Sequence, residues 1–382
     1  MRNVDAAGLG IGDDYPPRIM GVLNVSSESP YDPSVYDDPG EAAEYVDAEL
    51  IGEGADIVDV GLESANKKFD VLTAEQELER LDTAVETIQS VSGDAVFSIE
   101  TRYHEVAEAA LDRGFDMVND ICGFADPKMA EVCADYDVAV GKMASPPDLE
   151  RPGAVEDVDD IYDALELNGF TDKTILDPAF GGWSEDKTIE DDRETFDRLR
   201  EFRGYGYPLL VSINRKNFLR EIAGRTTEEA LPVSLAATAM AVERGAHVIR
   251  THDVRETRDA ALVGDAFTRE RVRTPEVEEL DVTTAGEVGR HLDRLGVDGA
   301  YADDAVVRVF EVSGLDEAAT QSLREAAGTY GVTAVEGGAG DDGTATVLLF
   351  GTVGALRRLA TGVDEDPLAS VVSSITDGLP GA

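Results

Sequence analysis

Val248-Ile249-Arg250-Thr251-His252-Asp253-Val254 reads as a short β-strand that begins apolar and ends polar. Alternation along an extended chain turns Arg250 and His252 to the same face, so a guanidinium and an imidazole point at one spot. Short apolar, β-branched runs of the same kind recur at 18–25, 56–62, 96–101, 117–121, 138–143, 174–180 and 208–213. Between these runs lie stretches with apolar residues three and four apart, including 41–53, 74–91, 104–113, 155–168, 190–202 and 228–244. Strand and helix alternating in this way about eight times predict a (β/α)8 TIM barrel.

A barrel of this kind places its chemistry at the C-terminal ends of the strands. Asn24, Glu63, Glu100, Asn119, Asp177, Lys216, Arg250 and His252 all fall there. Each alone reads as a helix cap or a solvated loop group; their coincidence at successive strand ends points to a site. Ser212-Ile213-Asn214-Arg215-Lys216, taken with Arg250 and His252, suits a phosphorylated, electron-rich small molecule, since guanidinium and ammonium groups match phosphate in charge and geometry. His247 and His252 lie five apart on one strand and face opposite ways, which argues against a two-histidine metal site.

Beyond about residue 270 the rhythm changes. Helical periods at 285–295 and 316–330, strand-like runs at 306–312, 332–336 and 346–350, a helix near 353–361 and an amphipathic stretch at 368–375 predict a small α+β domain. The expected organisation is an N-terminal extension over 1–17, a barrel over 18–270 and the small domain over 271–382, whose role is packing or dimerisation.

The chain of 382 residues carries 79 acidic against 33 basic residues, a formal charge of -46 spread along its length, which resembles a halophilic surface. Such a field repels nucleic acid and anionic membranes, and both are excluded as partners. No apolar stretch approaches a membrane span, and residues 1–14 lack a secretory pattern, so a cytoplasmic location is expected. Cys122 and Cys133 sit in apolar contexts without Cys-x-x-Cys spacing and read as buried free thiols. Lysine is scarce, which draws attention to Lys216 at a strand end.

In order and spacing, Met20-Gly21-Val22-Leu23-Asn24-Val25, Asp59-Val60-Gly61-Leu62-Glu63-Ser64, Ser98-Ile99-Glu100-Thr101, Val118-Asn119-Asp120-Ile121, Leu176-Asp177-Pro178, Asn214-Arg215-Lys216 and Arg250-Thr251-His252-Asp253-Val254 form one pattern. It resembles the pterin-binding barrels, and most closely the dihydropteroate synthase family. The resemblance implies a transferase that condenses a dihydropterin methyl diphosphate with 4-aminobenzoate, releasing pyrophosphate and giving dihydropteroate for folate biosynthesis. It implies that Glu100, Asn119, Asp177, Lys216 and Arg250 hold the pterin and that Asn24, Arg250 and His252 take the diphosphate. Lys216, Arg250 and His252 would be the catalytic groups. Asn24 would contact Mg2+ carried by the substrate phosphates, and a homodimer is expected by the same resemblance.

Several positions depart from the family pattern. Ser26-Ser27-Glu28-Ser29-Pro30 stands for Thr-Pro-Asp-Ser-Phe, and Glu63-Ser64-Ala65-Asn66-Lys67-Lys68 for Glu-Ser-Thr-Arg-Pro-Gly. Glu100 replaces an aspartate, Lys142-Met143 a His-Met pair, and Asn214 a serine. Phe180-Gly181-Gly182-Trp183-Ser184 replaces Gly-Phe-Gly-Lys, with Trp183 either packing on the rim or stacking on substrate. The pterin end is retained better than the acceptor end. The alternatives are a paralogue using another arylamine, a pterin-dependent methyltransferase, and a pterin-binding protein without catalysis.

Overall fold

The computed structural model describes residues 1–25, 34–63, 71–181, 186–339, 344–363 and 368–379. The chain forms two compact units, Met1–Glu278 and Glu279–Ala382. The first opens with a hairpin of β1 (Val4–Ala6) and β2 (Leu9–Ile11). The barrel strands follow as β3 (Arg18–Asn24), β4 (Ile57–Gly61), β5 (Val96–Thr101), β6 (Met117–Asp120), β7 (Ala139–Met143), β8 (Thr174–Asp177), β9 (Leu210–Val211) and β10 (Val248–Thr251). They pair in parallel in the order β8-β7-β6-β5-β4-β3-β10-β9, and a parallel bridge between Leu176 and Leu209 joins the two ends. The expected barrel is therefore what the chain builds.

Strand alternation sorts the side chains into two apolar layers. Val58, Val60, Ile99, Val118, Val140, Leu176, Val211 and Ile249 face outward beneath the helices. Met20, Ile57, Val96, Met117, Ala139, Ile175, Leu210 and Val248 face inward and fill the bottom. The helix Ala74–Ser90 shows why the outer layer is helical: Thr73 and Gln76 close a capping box, and Leu81, Ala84, Val85 and Ile88 recur on its buried face. The helix expected over 41–53 is instead an α-helix at Pro39–Tyr45 that widens into a π-helical turn at Val46–Ile51, keeping both Val46 and Leu50 buried. No helix among the described residues is long and apolar enough to cross a membrane.

In the second unit, β11 (Val307–Leu315), β12 (Thr333–Ala339) and β13 (Ala345–Thr352) form an antiparallel sheet in the order β11-β13-β12. Helices Glu317–Thr329, Val353–Gly362 and Leu368–Asp377 share its core, where Val312, Val347 and Leu349 meet Leu323, Leu356 and Val372. Thr284 starts a further helix, Ala285–Arg294, with a capping box to Glu287.

The N-terminal hairpin plugs the barrel from below. Ala7 and Gly8 both have positive φ, 49° and 90°, as a two-residue type I′ turn requires. Val4, Ala6 and Ile11 then join the bottom apolar layer. Beside this plug Asp13 pairs with Arg203 at 3.0 Å, with His247 Nε2 at 3.0 Å and with Arg271 at 3.5 Å. Arg273 donates to the Asp13 carbonyl at 2.8 Å. These anchors hold residues 271–278, grouped above with the small domain, in the first unit.

Burial alone would raise the Asp13 carboxyl, but the His247 hydrogen bond and the Arg203 and Arg271 charges outweigh it and hold the group well below the usual carboxylate range. Its stabilisation is therefore complete above the unfolded carboxylate pKa and is lost as pH falls through the depressed folded value. Asp13→Ala, which strands buried arginines, is expected to lower the unfolding free energy by about 3–5 kcal/mol near neutral pH. Urea unfolding at fixed high salt checks this, and the difference from wild type should shrink as the medium is acidified.

Candidate active site

The barrel's upper end opens into a cavity of about 570 Å³, its open mouth included. Glu100 from β5, Asn119 from β6, Asp177 from β8, Lys216 beyond β9 and Arg250 from β10 all line it. Ile121, Met143 and Phe180 supply apolar wall. The mixture of convergent polar groups and apolar wall is typical of small-ligand sites.

At its centre Arg250 is shared between two carboxylates. Its Nε donates to Asp59 Oδ2 at 2.7 Å and its Nη2 to Glu100 Oε2 at 2.5 Å. Asn119 Nδ2 donates to the same Asp59 oxygen at 2.9 Å, which fixes the amide. Asp59 is fully buried, and its Oδ1 has no hydrogen-bond partner among the described residues. Burial raises the Glu100 carboxyl, while the Arg250 charge pulls it back down.

Asp177 and Lys216 form the second charged element. Burial pushes the Asp177 carboxyl up to about 6, against the Ala179 backbone hydrogen bond and the Lys216 charge. Burial likewise lowers the Lys216 ammonium, against the pull of Asp177. Two glycines make room for these groups. A Cβ on Gly141 would meet Asn119 Oδ1 at 2.9 Å, and one on Gly181, at φ 73°, would lie 3.2 Å from Lys216 Cδ.

Beside this cluster Asn24 Nδ2 donates to Ser34 Oγ at 3.0 Å, and Ser34 Oγ lies 3.3 Å from His252 Nδ1. Burial and then the Arg250 charge hold the His252 imidazole down at about 3, so the ring is neutral near pH 7. The seven site residues expected from the sequence thus fall into this cavity and an Asn24-Ser34-His252 chain next to it. His247 lies at the opposite end of the barrel with Asp13.

Other expectations change. Arg215 does not turn into the mouth: its guanidinium grips Asp253 with two bonds of 2.8 Å, and its backbone is left-handed at φ 53°. Asn214 donates to the same Asp253 at 2.9 Å. Lys142 faces outward, because Gly141 and Met143 take the inner positions of β7. Its ammonium donates to the Leu167 and Gly169 carbonyls, both at 2.6 Å, and burial draws it down to about 7. Glu63 is held by the buried Arg102 and accepts from Leu72 N at 3.0 Å. Cys122 and Cys133 are buried free thiols. The loop sequences 26–30 and 64–68, with Lys67 and Lys68, and Trp183 with its neighbours 182–185 lie outside the described residues.

Sequence reasoning missed Asp59, Ser34, Arg102 and Lys187. Lys187 is buried, donates to the Ala179 carbonyl at 2.6 Å and lies 3.6 Å from Asp192, whose carboxylate accepts from Gly181 N. Only Asp59 carried a readable signal, since it shares the inward face of β4 with Ile57 and Gly61. As potential metal ligands, His104, Glu105 and Asp126 gather within 4.8 Å. Asp126 there caps the helix Pro127–Asp135 and meets His104 Nδ1 at 2.6 Å, and the group does not line the cavity.

Comparison with known proteins places this geometry. The profile of the pterin binding enzymes matches residues 20–252. Dihydropteroate synthase of Clostridium beijerinckii is 32% identical over 258 residues, covering 66% of this chain and 94% of that protein. A Haloferax volcanii protein described as a "probable bifunctional folylpolyglutamate synthase/dihydropteroate synthase" is 34% identical over 268 residues. That match covers 66% of this chain but spans only 31% of the Haloferax protein's length. Among solved structures, dihydropteroate synthase from Thermus thermophilus in complex with 4-aminobenzoate superposes with a TM-score of 0.57 at 30% identity, covering 70% of this chain and all of that one. With a family profile across most of the barrel and curated relatives matched nearly end to end, the chain belongs to the pterin-binding enzymes and, within them, to the dihydropteroate synthase family.

Proposed function

We propose that this chain is a transferase that joins a dihydropterin methyl diphosphate to 4-aminobenzoate, giving dihydropteroate and pyrophosphate. The observation that carries the reading is the convergence of Glu100, Asn119, Asp177 and Arg250, from four strands, and of Lys216, from the segment after β9, on one cavity. A pterin edge alternates hydrogen-bond donors and acceptors, and these carboxylate, amide and ammonium groups can satisfy both kinds inside an apolar wall. The relative solved with 4-aminobenzoate supports the acceptor. We assign this work to residues 18–270, in the cytoplasm, where two buried free thiols are at home.

In the reaction the arylamine nitrogen attacks the pterin methylene carbon as the carbon–oxygen bond to diphosphate breaks, and the amine gives up a proton. Asp177, Asn119 and Lys216 orient the ring. Glu100, longer by one methylene than the family's aspartate, reaches Arg250 and holds its guanidinium over the cavity. Arg250 and His252 receive the charge that grows on the leaving diphosphate. His252, neutral in the free protein, gains affinity for a proton as that anion arrives, which turns it into a second cationic donor.

The family's Mg2+ fits the residues present at one point. Asn24 commits its amide N–H to Ser34 and keeps a carbonyl oxygen, a hard neutral donor, beside His252. A single protein oxygen matches a cation that otherwise keeps waters and phosphate oxygens, and when bound the ion would neutralise diphosphate charge.

Asn214, which replaces the family's serine, is tied to Asp253 rather than open to the mouth. This favours a second reading in which the same activated pterin is joined to a different arylamine. We further assign a homodimer to this protein, paired through the barrel helices Leu231–Glu243 and Val254–Ala266, where Met240, Leu262, Val263 and the adjoining Phe267 are exposed.

Pyrophosphate release at high salt, from the pterin diphosphate with 4-aminobenzoate and with a panel of other arylamines, tests the reaction. Turnover with 4-aminobenzoate supports the first reading, turnover only with another amine supports the second, and none with any amine refutes both. Lys216→Ala and Arg250→Ala are each expected to lower kcat/KM by at least about 100-fold, as loss of a charged group in a water-excluded site does. Because Asp177 must be ionised to accept from the pterin, kcat/KM for the pterin should fall as pH drops through about 6. In Asp177→Asn that acid limb should vanish at a lower plateau.

A further inference from the structure

We propose that the open face of the β11-β13-β12 sheet is a self-association surface, on which the same face of a second copy of this chain packs. An antiparallel sheet covered by helices on one side normally shows polar residues on the other. Here the helices cover Val312, Val347 and Leu349, yet the opposite face is apolar too. Val307, Val309, Val335 and Leu348 are 56%, 59%, 51% and 43% exposed. The register makes them one patch: Phe350 lies between Val309 and Thr333, and Leu348 between Glu311 and Val335. Contiguous exposed apolar surface of this kind marks an interaction site.

Charge selects the occupant. Among the described residues of this face Glu311 is the one ionised side chain, in a chain with 79 acidic residues and a charge of -46. An acidic partner surface would have to desolvate its carboxylates against the patch. An anionic membrane is repelled by the whole chain, and among the described residues of the face no cation offsets that. A flat sheet encloses no small ligand. The same face of a second copy is apolar apart from Glu311 and present at equal concentration, and a two-fold axis lets one patch complement itself. Two such faces can pack as sheet on sheet, about 10 Å apart. Salt strengthens the contact twice, by screening the like charge of the two chains and by reinforcing apolar burial.

Light-scattering mass of the full chain in high salt tests the proposal independently of catalysis. Leu348→Glu and Val309→Glu, both at exposed positions, are expected to halve the assembly mass while the melting temperature and any pyrophosphate release stay at the wild-type level. If the barrels also pair, the sheet faces join separate barrel dimers, and the variants return the assembly to those dimers, a fall of at least about two-fold. Unchanged mass in both variants overturns the proposal. Leu348→Cys gives a second measurement, because both native thiols are buried and a thiol keeps the position uncharged. Its maleimide labelling should slow as protein concentration rises; a rate independent of concentration overturns the pairing.

Discussion

The mouth of this barrel depends on one buried guanidinium. Arg250 brings together Asp59 from β4 and Glu100 from β5, and through Asp59 it also fixes Asn119 from β6. Without that positive charge two carboxylates would crowd a fully buried spot, and one of them would have to take up a proton. With Arg250 committed to both carboxylates, Asp59 Oδ1 is left without a hydrogen-bond partner among the described residues, an acceptor ready for a ligand edge that donates hydrogen bonds. Lys216 and Asp177 set a second pair of opposite charges in the same cavity. The site is thus a set of partly compensated charges held in low dielectric, where each is worth more than in water and each demands a partner.

Much of this was legible before any coordinates, for a geometric reason. A parallel barrel forces strand ends to converge, so polar residues that end apolar runs must share a mouth wherever the runs truly are strands. Asn24, Glu100, Asn119, Asp177 and Arg250 follow from that rule. Lys142 fails it by one residue: the step that turns Gly141 inward turns Lys142 out, and only the pairing register decides which. Arg215 fails for another reason, since its left-handed backbone swings the side chain to Asp253, and no local pattern foretells that. Arg102 and Lys187 were illegible because their partners, Glu63 and Asp192, are set by tertiary packing. The fold proved easier to read than the site because periodicity repeats along the chain, whereas a buried ion pair occurs once.

The two units manage apolar surface differently. In the barrel every strand face is covered, outward by helices and inward by the plugged bottom layer. In the C-terminal unit the helices lie on one side of a three-stranded sheet, and valines and a leucine remain on the other. In a chain of such acidity, an apolar face with a single carboxylate among its described residues tells more than it would on an ordinary protein, since its whole surroundings disfavour contact.

The hairpin beneath the barrel also bears on the order in which the protein can mature. Val4, Ala6 and Ile11 leave the ribosome long before Leu210 and Val248, the side chains they finally pack beside. Throughout translation those early residues have no finished floor to settle on, and the most non-local contacts in the barrel must be made after nearly all of it has been synthesised. The plug is therefore a closing stitch, made with thread spun well before the cloth it closes.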